Sequence, residues 1–282
     1  MNEAISFLIF EREVFLLGAR VIVVTSGKGG VGKTTSTANI AVALAKLGKK
    51  VVAIDTDIGL RNLDMVMGLE SRVVFNLIDV IEKNCKLNQA LVRDKRVPTL
   101  HLLPAAQTRT KEAISPQQME ELCEQMRPDF DFVILDCPAG IEGGFKNAAV
   151  GADEALVVTT PDPPAVRDAD RIIGMLESMG KSPISLIINR FRMSMVKNNE
   201  MLSQNDILDV LSVKLIGIVP EDVNIIKASN FGEPLTFAPS SPAGQAYKDI
   251  AARLLGENVP LMKLDAYKSD GLFSGFKKML GF

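Results

Sequence analysis

Tryptophan is absent and histidine occurs once, at His101. A single histidine leaves no multi-histidine metal site and little room for a histidine-based nucleophile triad. Cysteine is scarce as well. Cys85, Cys123 and Cys137 are odd in number and widely spaced, and no C-x-x-C occurs, which fits a reduced compartment without a disulfide or metal framework. Neither charge dominates: 32 Lys and Arg face 34 Asp and Glu, for a net charge of −2. A dedicated nucleic-acid binder usually shows a basic excess, so the balance argues mildly against one, although a local patch can hide in an even total. No apolar run approaches the roughly 20 residues needed to span a bilayer. The opening MNEAISFLIFEREVFLLGAR is apolar but interrupted by Glu11, Arg12 and Glu13. It lacks the charged start and clean apolar stretch of a signal peptide and is too acidic for a typical transit peptide. Residues 1–18 therefore read as a dispensable extension.

What is present is a core. The 282 residues are 47% hydrophobic, enough for one compact domain or two small ones. Short apolar runs recur at Val21–Val24, Val51–Ile54, Leu100–Leu103, Phe132–Leu135, Leu156–Thr160, Ile184–Ile188 and Leu215–Val219. They show no alternation, as expected for strands buried on both faces. Helical patterns lie between them, such as Thr35–Leu47 ending at Gly48 and Val166–Met179 ending at Gly180. Alternating strand and helix predicts an α/β fold with a mostly parallel central sheet and helices on both faces. The domain is expected over 19–255, followed by a linker over 256–270 and a short helix over 271–282.

The first strand runs into GKGGVGKT, Gly27–Thr34, which satisfies G-x-x-x-x-G-K-[ST] between a strand and a helix and makes the fold a P-loop NTPase type. Glycines let the backbone curl so that several N–H groups face a phosphate, and the helix N-terminus adds its positive dipole end. Gly29, Gly30, Val31, Gly32, Lys33, Thr34 and Thr35 are the expected nucleotide contacts. Lys33 is expected to bridge the β- and γ-phosphates of ATP, and the Thr34 hydroxyl to sit on Mg²⁺. Lys28 is a second lysine in a loop that already has one. It lies at the outer edge and either reaches the nucleotide of a second subunit or is a solvated surface lysine.

Asp55 and Asp57 follow one predicted strand and Asp136 ends another. Carboxylates at strand ends beside a phosphate loop are where Mg²⁺ and the attacking water must be held. Asp136 suits Mg²⁺, Asp55 its outer support, and Asp57 the orientation of water. Each taken alone is equally compatible with a turn or a helix cap. At the other end of the chain, GLFSGFKKMLGF places Leu272, Phe273, Phe276, Met279 and Leu280 on an arc of about 120° at 100° per residue, with Lys277 and Lys278 beside it. Such a stripe suits a helix lying in a membrane interface, or one docked on its own domain. One short helix binds weakly, and two on a dimer gain up to about 10²–10⁴-fold by effective concentration.

KGGVGKTT resembles the deviant Walker-A loop of the ParA/MinD ATPase superfamily, and IDTDIGLRNLD its second strand motif. LNQALVRDKR, LLPAAQTR, DCPAGIEGGF, VRDADR, VPEDVNIIKASNFGEP and the terminal helix extend the likeness from about Arg20 to the C-terminus, within the branch that places the division septum. The resemblance implies that Lys28 is the signature lysine acting across an ATP-dependent homodimer and that Asp57 stands in the place of the catalytic aspartate. It also implies that Asn189 and Pro220, otherwise ordinary strand-end residues, border the adenine. The charged part of VRDADR, Arg167–Arg171, otherwise a solvated face, would lie near the dimer and partner surfaces. The function implied is that of a Mg-dependent ATPase that recruits a MinC-like division inhibitor, answers to a MinE-like activator and cycles off an anionic membrane upon hydrolysis. Its place would be the cytoplasm and the inner face of the cell membrane, or the stroma in a plastid. Rival expectations are a flagellar-placement relative, which shares loop and tail; a ParA-type DNA-partitioning ATPase, which leaves the tail unexplained; and an iron–sulfur scaffold ATPase, which needs a cysteine cluster.

Overall fold

The structure, a computed structural model, describes residues 18–108, 114–140 and 143–262. Eight strands form one sheet: β1 (Arg20–Thr25), β2 (Val51–Asp55), β3 (Val92–Arg93), β4 (Leu100–Leu103), β5 (Phe132–Asp136), β6 (Glu154–Thr159), β7 (Ile184–Phe191) and β8 (Lys214–Pro220). Their order across the sheet is β3-β4-β2-β5-β1-β6-β7-β8. Every pairing is parallel except β3 with β4. All seven strands expected from apolar runs are present. The eighth, β3, is a two-residue edge strand, too short to show a periodic signal.

Successive strand residues serve opposite faces, as the two-residue period of a pleated strand requires. Val21 and Val23 join the core cluster on one side, Ile22 and Val24 the cluster on the other. Both faces are thus buried, which is why the runs lack polar alternation. One face is covered by α1 (Lys33–Lys46), α2 (Leu63–Val66) and α8 (Pro242–Leu254), with α7 (Asn224–Asn230) beside α2. The other carries α3 (Pro116–Met126), α4 (Gly143–Val150), α5 (Pro163–Ser178) and α6 (Gln204–Leu211).

Helix α1 is buried from Ser36 through Ala45. Its alanine-rich sequence allows this, because small side chains let it sit between the sheet and α8 at no rotamer cost. Gly48 adopts φ 84°, the left-handed conformation that ends the helix. Helix α5 begins three residues before the expected Val166. Asp162 accepts the Ala165 N–H at 3.2 Å as N-cap, and Pro163 and Pro164 fill the first turn, where a missing N–H costs nothing. Its inner face is Ala165, Val166, Ala169, Ile172, Ile173 and Leu176, while Arg167, Asp170 and Arg171 are exposed.

Residues 256–262, expected to open a linker, are instead held against the domain. The Arg253 guanidinium donates to the carbonyls of Val259, Pro260 and Ile216, and Met262 packs on both core clusters. The extension through residue 17 and the amphipathic stretch 271–282 lie outside the described residues. Among the described residues, no helix is long and apolar enough to cross a membrane.

Candidate nucleotide site

The loop between β1 and α1 is shaped by its glycines. Gly30 and Gly32 hold φ of 76° and 100°, which side-chain-bearing residues rarely adopt. Gly27 is required for a different reason: a Cβ there would lie 2.3 Å from the Asp168 carbonyl oxygen on α5. The Ser26 hydroxyl donates to the Lys28 carbonyl at 2.7 Å and closes the start of the loop. At its end Gly32 caps α1 without a side-chain acceptor, so no side chain occupies the first N–H groups of this 14-residue helix. Those N–H groups, at the positive end of the helix dipole, are a ready anion cradle.

Beneath the loop the sheet register aligns the carboxylates. Asp55 on β2 is paired with Asp136 on β5, and Asp136 in turn with Val24 on β1. Neighbouring strands lie about 4.8 Å apart, so the two carboxylates end adjacent strands at one level. Both are about 1% exposed, and Lys33 is 8% exposed. The Asp136 Oδ1 accepts the Thr37 hydroxyl at 3.1 Å. Asp55 is fully engaged by backbone: Oδ1 accepts the Asp57 N–H, and Oδ2 the N–H groups of Asn62 and Leu63. Its carboxylate thereby fastens the chain from Asp57 to the start of α2.

Burial raises the pKa of both acids, and for Asp136 the neighbouring Asp55 adds to the rise. The Thr34 hydroxyl, the Lys33 ammonium and the Thr37 hydroxyl oppose it at Asp136, as backbone N–H groups do at Asp55. Carboxylates that burial penalises, beside a buried lysine, a hydroxyl and an anion cradle, fit a phosphate carrying a hard divalent cation. The residues present therefore fit Mg²⁺ and a nucleotide phosphate: Lys33 and the loop N–H groups for the anion, Thr34 and Asp136 for the metal.

The structure brings Lys33, Thr34, Asp55, Asp57 and Asp136 together at the C-terminal edge of the sheet. Lys28 stays on the outer rim, its side chain 51% exposed and its ammonium 4.0 Å from Asp162. Asn189, two residues before the end of β7, and Pro220, the last residue of β8, lie at the same edge, both buried. Asn189 leans on the phosphate loop itself, donating to the Val31 carbonyl at 2.8 Å. Leu272, Phe273, Phe276, Lys277, Lys278, Met279 and Leu280 lie outside the described residues. Thr37 went unrecognised in the sequence, although its place three residues beyond Thr34 puts both hydroxyls on one face of α1. The three cysteines are free thiols, and burial pushes Cys123 and Cys137 up to about 12. Among the described residues no three His, Cys, Asp or Glu side chains gather as a metal site.

A mostly parallel sheet with a glycine loop entering a helix N-terminus at its carboxyl edge, flanked by strand-end aspartates, defines a P-loop nucleotide-binding protein. Residues 22–235 match the family described as the CobQ/CobB/MinD/ParA nucleotide binding domain, and the chain belongs to that family. It is 55% identical over 263 residues to the septum site-determining protein MinD of Synechocystis sp., covering 93% of this chain and 99% of that one. It is also similar to the chain in the MinC:MinD cell division protein complex of Aquifex aeolicus, with a TM-score of 0.82 and 49% identity over 87% of this chain and 99% of that one. The septum site-determining protein MinD of Pyrococcus horikoshii, complexed with Mg-ADP, superposes with a TM-score of 0.76 at 30% identity, over 86% of this chain and all of that one.

Proposed function

We propose that the chain is a Mg-dependent ATPase that dimerises on ATP, holds the membrane as a dimer, and places the division septum by recruiting a MinC-like inhibitor. The observation that carries this reading is the division of labour within one loop: Lys33 is buried among the carboxylates while Lys28 faces outward from the rim.

Bound Mg²⁺ would supply positive charge against the negative charge that develops on the phosphate during transfer. Lys33 and the N–H groups of Gly29–Thr35 bind and orient the phosphates. Thr34 and Asp136 hold the metal's place, with Asp55 behind them. Asp57, half-buried and fastened through its own N–H to Asp55, orients the water. Lys28 completes the site of a second copy, which makes hydrolysis depend on the dimer. Asn189 and Pro220 border the adenine.

A partner surface lies beside this site. Leu60 and Met65 on the α2 side and Val223, Ile226 and Phe231 on the α7 side are all exposed, between 48% and 84%. Gly68 and Gly232 lock the two sides together so closely that a Cβ on Gly68 would lie 2.5 Å from the Gly232 oxygen. Leu60 hangs on the loop fastened by Asp55, and Val223 follows the Pro220 strand end. Both halves of this apolar face are therefore joined to the nucleotide site, as recruitment of the inhibitor in the ATP state requires. A MinE-like activator would act on the same dimer.

The membrane step belongs to residues 271–282. Co-sedimentation with anionic liposomes should be strong with ATP and weak with ADP, and deleting 271–282 should abolish it while leaving the ATP dimer intact in light scattering. Equal sedimentation with ADP and ATP would overturn the scheme.

A further inference from the structure

Asn189 is 2% exposed, and both ends of its amide are engaged. Nδ2 donates to the Val31 carbonyl at 2.8 Å, across 158 residues of sequence. Oδ1 accepts the N–H of Arg190 at 2.9 Å. Arg190 holds φ 56°, an unfavourable conformation for a side-chain-bearing residue, so the backbone turns sharply just after the amide. The amide is also pressed against Gly32, where a Cβ would lie 2.3 Å from Nδ2.

The peptide linking Val31 and Gly32 is trans, because the cis bond of the described residues is Ser182–Pro183. In a planar trans peptide the carbonyl and the following N–H point in opposite directions. Drawing the Val31 oxygen toward β7 therefore aims the Gly32 N–H the other way, into the phosphate cradle. Left unheld, this peptide would be freer to rotate, since the glycine on its C-terminal side has little steric restriction. We infer that Asn189 is a positioning residue for the phosphate loop: it fixes the Val31–Gly32 peptide plane so that the Gly32 N–H faces a bound diphosphate, whatever base that diphosphate carries. The inference deepens the nucleotide-site reading and rests on it. It gives Asn189 a task distinct from bordering adenine.

The two tasks separate by ligand. Binding of Mg-ADP, Mg-GDP and Mg-pyrophosphate would be compared in the full-length wild type, Asn189→Ala and Asn189→Asp, by competition against a fluorescent nucleotide well below the melting temperature. Asn189→Asp keeps the shape and the Arg190 bond but sets a carboxylate oxygen against the Val31 oxygen, so it serves if the alanine variant folds poorly. Loss of one hydrogen bond predicts about three- to tenfold weaker binding in Asn189→Ala, by the same factor for all three ligands and larger in Asn189→Asp. The Gly32 amide resonance should also lose part of its shift on adding pyrophosphate. A purely structural role would lower the melting temperature and leave these affinities and that resonance unchanged, which would overturn the inference. A loss confined to ADP would leave Asn189 only its place beside the adenine, with no hold on the loop, and overturn it equally. Failure of the wild type to bind any of the three would remove the nucleotide reading itself, and the inference with it.

Discussion

Lys28 and Lys33 share a loop and differ in almost everything else. Lys33 opens α1, is 8% exposed and lies near the buried Asp136 carboxylate, whose pKa its charge lowers. Lys28 stands on the glycine arc with half its side chain in water, and the carboxylate it faces, 4.0 Å away, is that of the half-buried Asp162. A buried cation beside buried acids is committed to its own chain, because removing it leaves their charge uncompensated in a low dielectric. An exposed cation at the long limit of an ion pair contributes little to its own fold and remains available to a second molecule. The inner wall of the loop is therefore suited to a ligand, and the outer rim is open to a second molecule, as the proposed dimer requires.

The largest test of that contrast is removal of each lysine in turn. Lys33→Ala should weaken Mg-ADP binding to the monomer by about 2–5 kcal/mol, the cost of truncating one member of a buried charge pair, measured by calorimetry. Lys28→Ala should leave the same affinity within about twofold yet abolish the ATP-dependent dimer in light scattering. Equal losses of Mg-ADP affinity in the two variants would erase the distinction between wall and rim.

Much of this arrangement is legible in the sequence, for a physical reason. Strands buried on both faces must be apolar throughout, so seven of the eight stand out as runs, and the phosphate loop stands out because its glycines and lysine have to follow one another. What escapes is set by distant contacts or by short pieces. The β3 strand has two residues and no period. The first turn of α5 is hidden because Asp162-Pro163-Pro164 reads as a loop until the cap is seen closing on Ala165. Asp55 suggests a metal neighbour, and only the return of the chain at residues 62 and 63 shows its oxygens already taken by backbone. The bond from Asn189 to Val31 joins two motifs that are recognisable separately and whose contact is invisible until the sheet is assembled. Residues 256–262 look like linker because their anchor is the guanidinium of Arg253, not an apolar pattern.

The buried wall also predicts a pH dependence that the rim should lack. An acid whose folded pKa lies above its unfolded value binds more protons when folded, so its contribution to stability declines as pH rises. For Asp55 and Asp136 the decline begins near pH 4, where an unfolded aspartate titrates, and continues upward as their raised folded pKa values are crossed. Each pKa unit is about 1.4 kcal/mol, and each kcal/mol shifts the melting temperature of a chain this size by about 2–4 °C. The nucleotide-free wild type should therefore lose melting temperature relative to Asp136→Asn as pH is raised from 5 to 8 in calorimetric scans. Saturating Mg-ADP should shrink that gap, since a cation favours the charged carboxylates, and its binding should release protons at the lower end of the range. Parallel pH profiles for wild type and Asp136→Asn would mean that the wall is not under this electrostatic load.

The smallest effect is expected at the rim. Asp162 has three tasks: it caps α5 through the Ala165 N–H, accepts the Thr160 hydroxyl at 2.5 Å and faces Lys28. Alanine would confuse them, because losing an N-cap alone costs about 1 kcal/mol. Asparagine caps as well as aspartate does, and its amide can donate to the Thr160 hydroxyl where the carboxylate accepted from it, so Asp162→Asn chiefly removes the charge opposite Lys28. An exposed pair at 4.0 Å predicts a stability change below about 0.5 kcal/mol, read as a melting temperature within about 2 °C of wild type. Monomer affinity for Mg-ADP should likewise stay within about twofold, since the inner wall is untouched. A loss of 2 kcal/mol or more in either quantity would show that Lys28 is held by its own chain as firmly as Lys33, and the contrast between the two lysines would be one of exposure alone.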